Sequence, residues 1–278
     1  MKWATRRWRP VDANLRLRFI TAGVGIPLLV WLIGWSPTWL FSGFVFMLVV
    51  GALLEYFSMA FPSGGKARVA GIIFGIGLAL AVTLYGESSG PQGIGVVLLL
   101  GFSLGLVFRH RLAHRLGPVL RALLGGFYVG YLIPFIILLF RQPGGRAWVG
   151  WLTFVIMAGD SMAYFVGRRF GKRKLAPAIS PGKTIEGACG YFAGVSVVGL
   201  VGGVMILGDV WWVEVLFLAL VLGILGQLGD LFESWIKRVY GVKDSGTVLP
   251  GHGGLLDRLD SLVFPAVFTS AYLRIFHS

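Results

Sequence analysis

Long apolar runs alternate with short polar or Gly/Pro-rich breaks along the whole chain. A hydrocarbon core about 30 Å thick needs roughly 20 apolar residues per helix, and cutting the sequence at its charge clusters leaves runs of about that length. The sequence therefore predicts nine transmembrane helices, over residues 19–36, 38–61, 67–86, 92–108, 117–140, 147–168, 184–206, 210–236 and 256–276. We expect one all-α integral membrane domain over residues 1–278.

The composition supports a membrane protein. The chain is 56% hydrophobic and only 13% charged, and its mean hydropathy is +0.80, which is typical of the membrane class. The third, fourth and seventh runs are rich in glycine, which suits close helix packing in lipid and is compatible with a homodimer. The single Cys189 excludes an intrachain disulfide.

The positions of Lys and Arg predict the orientation. Of the 25 such residues, only Arg141, Arg146 and Arg274 fall in the gaps opposite the N-terminal side. The positive-inside rule then places the N-terminus in the cytoplasm and, with nine spans, the C-terminus outside. We interpret the net charge of +13 as topology and affinity for anionic lipid of the bilayer, not for nucleic acid. The expected location is the cell membrane.

Residues 230–261 combine acidic and basic side chains between two apolar runs, and charge near the bilayer interior marks a functional site. Asp257 and Asp260 share a helix face, and Asp230 ends the preceding span. Carboxylates so close repel unless a cation neutralises them, so we predict that these three bind Mg²⁺, as one ion or a two-metal site. The alternative is structural ion pairs with neighbouring bases, namely Lys237, Arg238 or Arg258.

Basic and glycine residues beside these carboxylates fit a metal-bound polyphosphate. The candidates in this segment are Lys237, Arg238, Lys243, His252 and Arg258. A second loop, residues 167–187, adds Ser180, Lys183 and Thr184; Thr184 looks like a helix start, where an anion binds well. An ordinary basic loop is the alternative for that stretch.

The intramembrane carboxylates are expected to face one cavity. Asp160 and Asp230 lie eight and seven residues before the bases Arg168 and Lys237, roughly 10–12 Å in from the cytoplasmic helix ends. Such a cavity, sunk below the cytoplasmic surface, can receive a soluble anion from above and a lipid headgroup from the side.

Residues 234–260 resemble the signature of the phosphatidate cytidylyltransferase (CDP-diacylglycerol synthase) family. The matching positions are Ser234, Ile236, Lys237, Arg238, Lys243, Asp244, Gly246, Leu249, Pro250, His252, Gly253, Gly254, Asp257, Arg258, Leu259 and Asp260. The upstream segments GDSMAYFVGRRFGK, ISPGKTIEG and LRLRFITA extend the resemblance over most of the chain.

The resemblance implies a membrane enzyme that joins CTP and phosphatidic acid into CDP-diacylglycerol and pyrophosphate with Mg²⁺. Carried over by position, it implies that Asp230, Asp257 and Asp260 hold the metal. The residues around the phosphates would be Lys183, Lys237, Arg238, Lys243, His252 and Arg258.

Two functions from other classes are alternatives. A cation- or proton-coupled transporter would use the intramembrane Asp160 and Asp230, but it has no need of a loop rich in Gly, His and Lys. A CDP-alcohol phosphotransferase would share the metal and the lipid, but its paired Asp-Gly pattern is absent from this sequence.

The predicted topology can be tested by cysteine labelling in intact cells. In a Cys189→Ser background, a membrane-impermeant maleimide should label Ser278→Cys from outside and should label Ser63→Cys only after lysis, because the positive-inside rule places these positions on opposite sides. Labelling of Ser63→Cys in intact cells would contradict the orientation.

Overall fold

Helices make up most of the chain in the computed structural model, which describes residues 13–86, 89–107, 117–208, 210–246 and 253–276. A π-helical segment, Gly126–Tyr131, lies within one helical run that extends over Pro118–Arg141. The α-helices are α1 (Ala13–Gly34), α2 (Thr38–Ala60), α3 (Lys66–Tyr85), α4 (Ser89–Val107), α5 (Pro118–Gly125), α6 (Phe135–Arg141), α7 (Gly145–Phe170), α8 (Ile185–Ile206), α9 (Trp212–Val239) and α10 (Leu256–Phe276).

Each apolar run predicted from the sequence coincides with helix. Within the described part of the chain, seven helical runs are long and apolar enough to cross a membrane: α2, α3, α5–α6, α7, α8, α9 and α10. The apolar stretches Gly23–Gly34 of α1 and Gly90–Leu106 of α4 are shorter. The all-α, multi-pass membrane class is confirmed, whereas the number of crossings and the sides of the termini stay predictions.

The outer surface of the helical domain is apolar. Side chains such as Tyr85, Val201, Met205 and Phe217 are more than half exposed, which a water-soluble protein would seldom tolerate over such an area. In lipid these apolar side chains can remain on the surface. The helices are therefore held together by close packing and by polar contacts.

A two-stranded antiparallel hairpin follows α7, where the sequence predicted a basic loop. Strands β1 (Lys174–Ala176) and β2 (Ser180–Thr184) pair Lys174 with Thr184. The predicted helix start is confirmed: Thr184 is the N-cap of α8, and its Oγ1 accepts a hydrogen bond of 3.1 Å from the Gly187 amide. This cap contact fixes Thr184 at the end of the hairpin, and with it the position of the residue before it, Lys183.

Close contact between α9 and α10 depends on glycine. Two glycines of α9, Gly226 and Gly229, face α10, and a Cβ atom on Gly226 would lie 3.3 Å from the main-chain oxygen of Ser261. A Cβ atom on Gly229 would lie only 2.3 Å from the main-chain oxygen of Asp260 in α10. Glycine at this position therefore allows the backbone next to Asp230 to touch the backbone at Asp260.

Gly229→Ala should lower the thermal unfolding midpoint in detergent by several degrees. The added methyl must push apart two backbones, and overpacking of this kind costs about 1–3 kcal/mol. Gly77→Ala in α3 is the matched control, because nothing lies within 4 Å of its would-be Cβ. Equal midpoints for the two variants would refute the close contact.

Candidate active site

A cavity of about 1480 Å³ opens between α7, the hairpin, the start of α8, α9 and α10. Most of the predicted site residues line it: Asp160, Lys183, Thr184, Asp230, Lys237, Lys243, Asp257, Arg258 and Asp260. The fold thus brings acidic and basic side chains from α7, the hairpin, α9, the residues after α9 and α10 to one space.

Lys183 and Asp230 join the hairpin to α9. The Lys183 Nζ lies 2.7 Å from Asp230 Oδ2 and 3.4 Å from Gln227 Oε1. The Ser234 hydroxyl donates to the other oxygen of Asp230 at 3.3 Å. Asp230 is therefore oriented from two sides while a quarter of its side chain stays exposed.

Lys237 lies between two carboxylates. Its Nζ is 2.5 Å from Glu233 Oε2 within α9 and 2.6 Å from Asp257 Oδ1 at the start of α10. Both Lys237 and Glu233 are buried. The ion pair that the sequence left as an alternative for Asp257 is thus present, and Lys237 is engaged with protein groups.

Asp257 also organises the loop between α9 and α10. Its Oδ2 accepts hydrogen bonds from the amides of Gly254 at 2.9 Å and Ser245 at 3.1 Å. Both carboxylate oxygens of Asp257 therefore have partners. The two amide contacts connect the first turn of α10 to the described residues of the loop. An acidic side chain is also favourable at this position because it faces the positive end of the helix dipole.

Asp260 lies deeper, one turn further along α10. Its Oδ1 accepts hydrogen bonds from the amide and the hydroxyl of Ser261, at 2.7 and 3.2 Å. Asp160 and Asp230 are near enough to repel its charge. Asp160 is exposed on the cavity wall, and Lys183 and Arg258 offset part of its negative charge.

These carboxylates suit a hard divalent cation. Oxygen donors are the ligands that Mg²⁺ prefers, and repulsion among Asp160, Asp230 and Asp260 would be relieved by a cation between them. Among the described residues, no three His, Cys, Asp or Glu side chains converge tightly enough to hold one ion by themselves. The donor chemistry therefore fits a metal that takes its remaining ligands from water or substrate phosphate.

Three predicted residues have other surroundings. Arg238 donates to the Ile179 carbonyl at 3.0 Å and to the Val242 carbonyl at 2.9 Å, which ties the hairpin to the end of α9. Ser180 begins β2 and is not among the residues lining the cavity. His252 lies outside the described residues.

Sequence reasoning overlooked two polar residues of α9. Glu233 pairs with Lys237, and Gln227 receives Lys183. A signal for Glu233 was present, because it stands four residues before Lys237, the spacing at which helical side chains meet. Gln227 carried no such signal, since its partner comes from a hairpin that the sequence did not predict.

Comparison with known proteins identifies the family of this chain. Residues 16–276 match the model of the cytidylyltransferase family. A curated relative from Thermotoga maritima, named phosphatidate cytidylyltransferase, is 33% identical over 270 residues, which cover 94% of this chain and 97% of the relative.

Two further relatives with the same name match over a shorter length. The one from Bacillus subtilis is 45% identical over 132 residues, 48% of this chain and 49% of the relative. The one from Brucella suis is 43% identical over 153 residues, 55% of this chain and 56% of the relative. In these two alignments the chain spans about half of the relatives' length. With the family match over nearly its whole length, the chain belongs to the cytidylyltransferase family.

Proposed function

We propose that the protein transfers CMP from CTP to phosphatidic acid, giving CDP-diacylglycerol and pyrophosphate, at a site that faces the cytoplasm. The names of its relatives support this reaction. The observation that carries it is the meeting of the charged cavity with an apolar pocket. Leu29, Thr153 and Leu262 line both spaces, so one ligand can place a phosphate among charges and the adjoining part of its apolar portion among apolar side chains.

The apolar pocket is small, about 60 Å³, so it suits a short stretch of hydrocarbon next to the charged cavity. Apart from Thr153, every side chain lining it is apolar, and the residues come from α1, α2, α6, α7 and α10. A soluble nucleotide has no use for such a pocket, whereas a phospholipid has both of the required parts. This division favours phosphatidic acid as the second substrate beside CTP.

In the proposed step, a phosphate oxygen of phosphatidic acid attacks the α-phosphorus of CTP in line. The new bond joins that oxygen to the α-phosphorus, and the bond from the α-phosphorus to the bridging oxygen breaks, so that pyrophosphate leaves with the electron pair. The nucleophile is already an anion at neutral pH, so no general base is needed. The barrier is repulsion between two polyanions, which preorganised positive groups lower.

Basic side chains would bind the phosphates. Lys183, Lys243 and Arg258 line the cavity from the hairpin, the loop and α10, and they would neutralise the triphosphate and the leaving pyrophosphate. Lys237 is committed to Glu233 and Asp257. We therefore propose that Lys237 acts mainly by holding Asp257 in place.

Asp230 and Asp260 would hold Mg²⁺, with Asp230 releasing Lys183 to the substrate phosphates and Asp257 joining only if it likewise exchanged its present contacts. When bound, Mg²⁺ would withdraw charge from the phosphate oxygens. The carboxylates would in turn keep the cation between the reacting groups. Family membership speaks against the transporter alternative, because the acids that it would use are accounted for by nucleotidyl transfer.

The reaction can be tested with purified protein in detergent, phosphatidic acid, Mg²⁺ and CTP labelled at the α-phosphate. Label should enter the lipid, pyrophosphate should be released, and both should require Mg²⁺ and prefer CTP over other nucleoside triphosphates. Asp230→Asn should reduce transfer by about a hundredfold or more, because an essential electrostatic group is lost.

Glu214→Gln is the matched control, since it removes a carboxylate from the opposite end of α9, where Tyr272 donates to it. This variant should transfer label at the wild-type rate. Folded wild-type protein that leaves the lipid unlabelled across several lipids and nucleotides would overturn the proposal.

A further inference from the structure

Glu55 is an acidic residue in the apolar helix α2, and only 6% of it is exposed. Its Oε1 accepts a hydrogen bond of 2.9 Å from the Leu255 amide, and its Oε2 accepts one of 3.0 Å from the Leu256 amide. These amides mark the start of α10, about 200 residues later in the chain. A buried carboxylate is costly unless it is hydrogen-bonded, so these contacts tie α2 firmly to the start of α10.

The two described ends of the loop between α9 and α10 lie close to the same carboxylate. A Cβ atom on Gly246 or on Gly254 would lie 2.5 Å from a Glu55 carboxylate oxygen. Both glycines belong to the stretch that resembles the family signature. The anion that the loop backbone approaches at these two positions is thus a side chain of the protein itself.

Ser245 connects Glu55 to the site. Its hydroxyl donates to Glu55 Oε2 at 3.1 Å, and its amide donates to Asp257 Oδ2 at 3.1 Å. Two carboxylates therefore hold Ser245: Glu55 of α2 binds its hydroxyl, and Asp257 on the cavity wall binds its amide. The two residues directly before Ser245, Lys243 and Asp244, line the cavity.

The neighbouring residue holds the other end of the loop. The Tyr56 hydroxyl lies 2.7 Å from the Tyr240 hydroxyl, just after α9. It also donates to the Arg121 carbonyl at 3.0 Å. Successive residues of α2 thus fix both the beginning and the end of the connection that carries the charged groups.

We infer that Glu55 is a positioning residue for the reaction: it holds the loop so that Lys243 and Asp257 keep their places on the cavity wall. Glu55 is not among the residues that line the cavity, so it acts through the loop and not on substrate. The inference rests on the proposed function for the reaction that the loop serves. The positioning itself is a structural statement that can be measured separately.

The test is Glu55→Gln. The amide keeps the size of the side chain but turns one acceptor into a donor that faces other donors, leaving a buried group without a partner. We expect kcat/KM for CTP to fall about tenfold or more, measured well below the unfolding midpoint in detergent, which should itself fall because a buried group loses its partner. Glu214→Gln, with the same chemical change far from the loop, should keep wild-type kcat/KM.

Hydrogen–deuterium exchange supplies a readout that a general loss of stability would not reproduce. In Glu55→Gln, exchange should quicken at residues 243–246 and 253–258 and stay unchanged in the middle of α7, α8 and α9. Should the variant fail to fold, Ser245→Ala removes one of the three contacts and should quicken exchange in the same residues.

Wild-type kcat/KM in folded Glu55→Gln, or faster exchange spread evenly over all helices, would overturn the inference. Inactive wild-type protein would refute the proposed function alone. In that case the exchange pattern would still decide whether Glu55 holds the loop.

Discussion

The ammonium group of Lys237 is the contact on which the rest of the site depends. It lies 2.5 Å from a carboxylate oxygen of Glu233 and 2.6 Å from one of Asp257, and Glu233 is fully buried. Glu233, buried in the interior, would not be stable as an anion without a cation beside it, and the same cation neutralises Asp257 on the cavity wall. One positive charge therefore holds two carboxylates and ties the end of α9 to the beginning of α10.

The other contacts of the site depend on these two ion pairs of Lys237. One carboxylate oxygen of Asp257 contacts Lys237, and the other accepts hydrogen bonds from two loop amides. Glu55 of α2 accepts a hydrogen bond from the Ser245 hydroxyl of the same loop. Close packing at Gly229 brings the backbone next to Asp230 into contact with the backbone at Asp260. The resulting charges are fixed by the fold, so little reorganisation is required when a polyanion enters, and this is the basis of electrostatic catalysis.

The helices of the fold could be predicted from the sequence because membrane-spanning helices are recognisable by the length and apolarity of their runs. The predicted runs agree with the helices to within about six residues, and Asp257 and Asp260, predicted to share a helix face, both line the cavity. The hairpin escaped prediction because its strands are short and contain Pro181 and Gly182. The role of Glu55 could not be predicted, since its partners are about 200 residues away and only the fold brings them together.

The most direct measurement is the unfolding midpoint, in detergent, of wild type, Lys237→Met and Lys237→Met/Glu233→Gln. Loss of the lysine alone leaves buried carboxylates unpaired, which costs about 3–5 kcal/mol, so the single variant should unfold well below the wild type. Neutralising Glu233 as well should recover a substantial part of the loss. A double variant that is less stable than Lys237→Met would contradict the central role given to this charge.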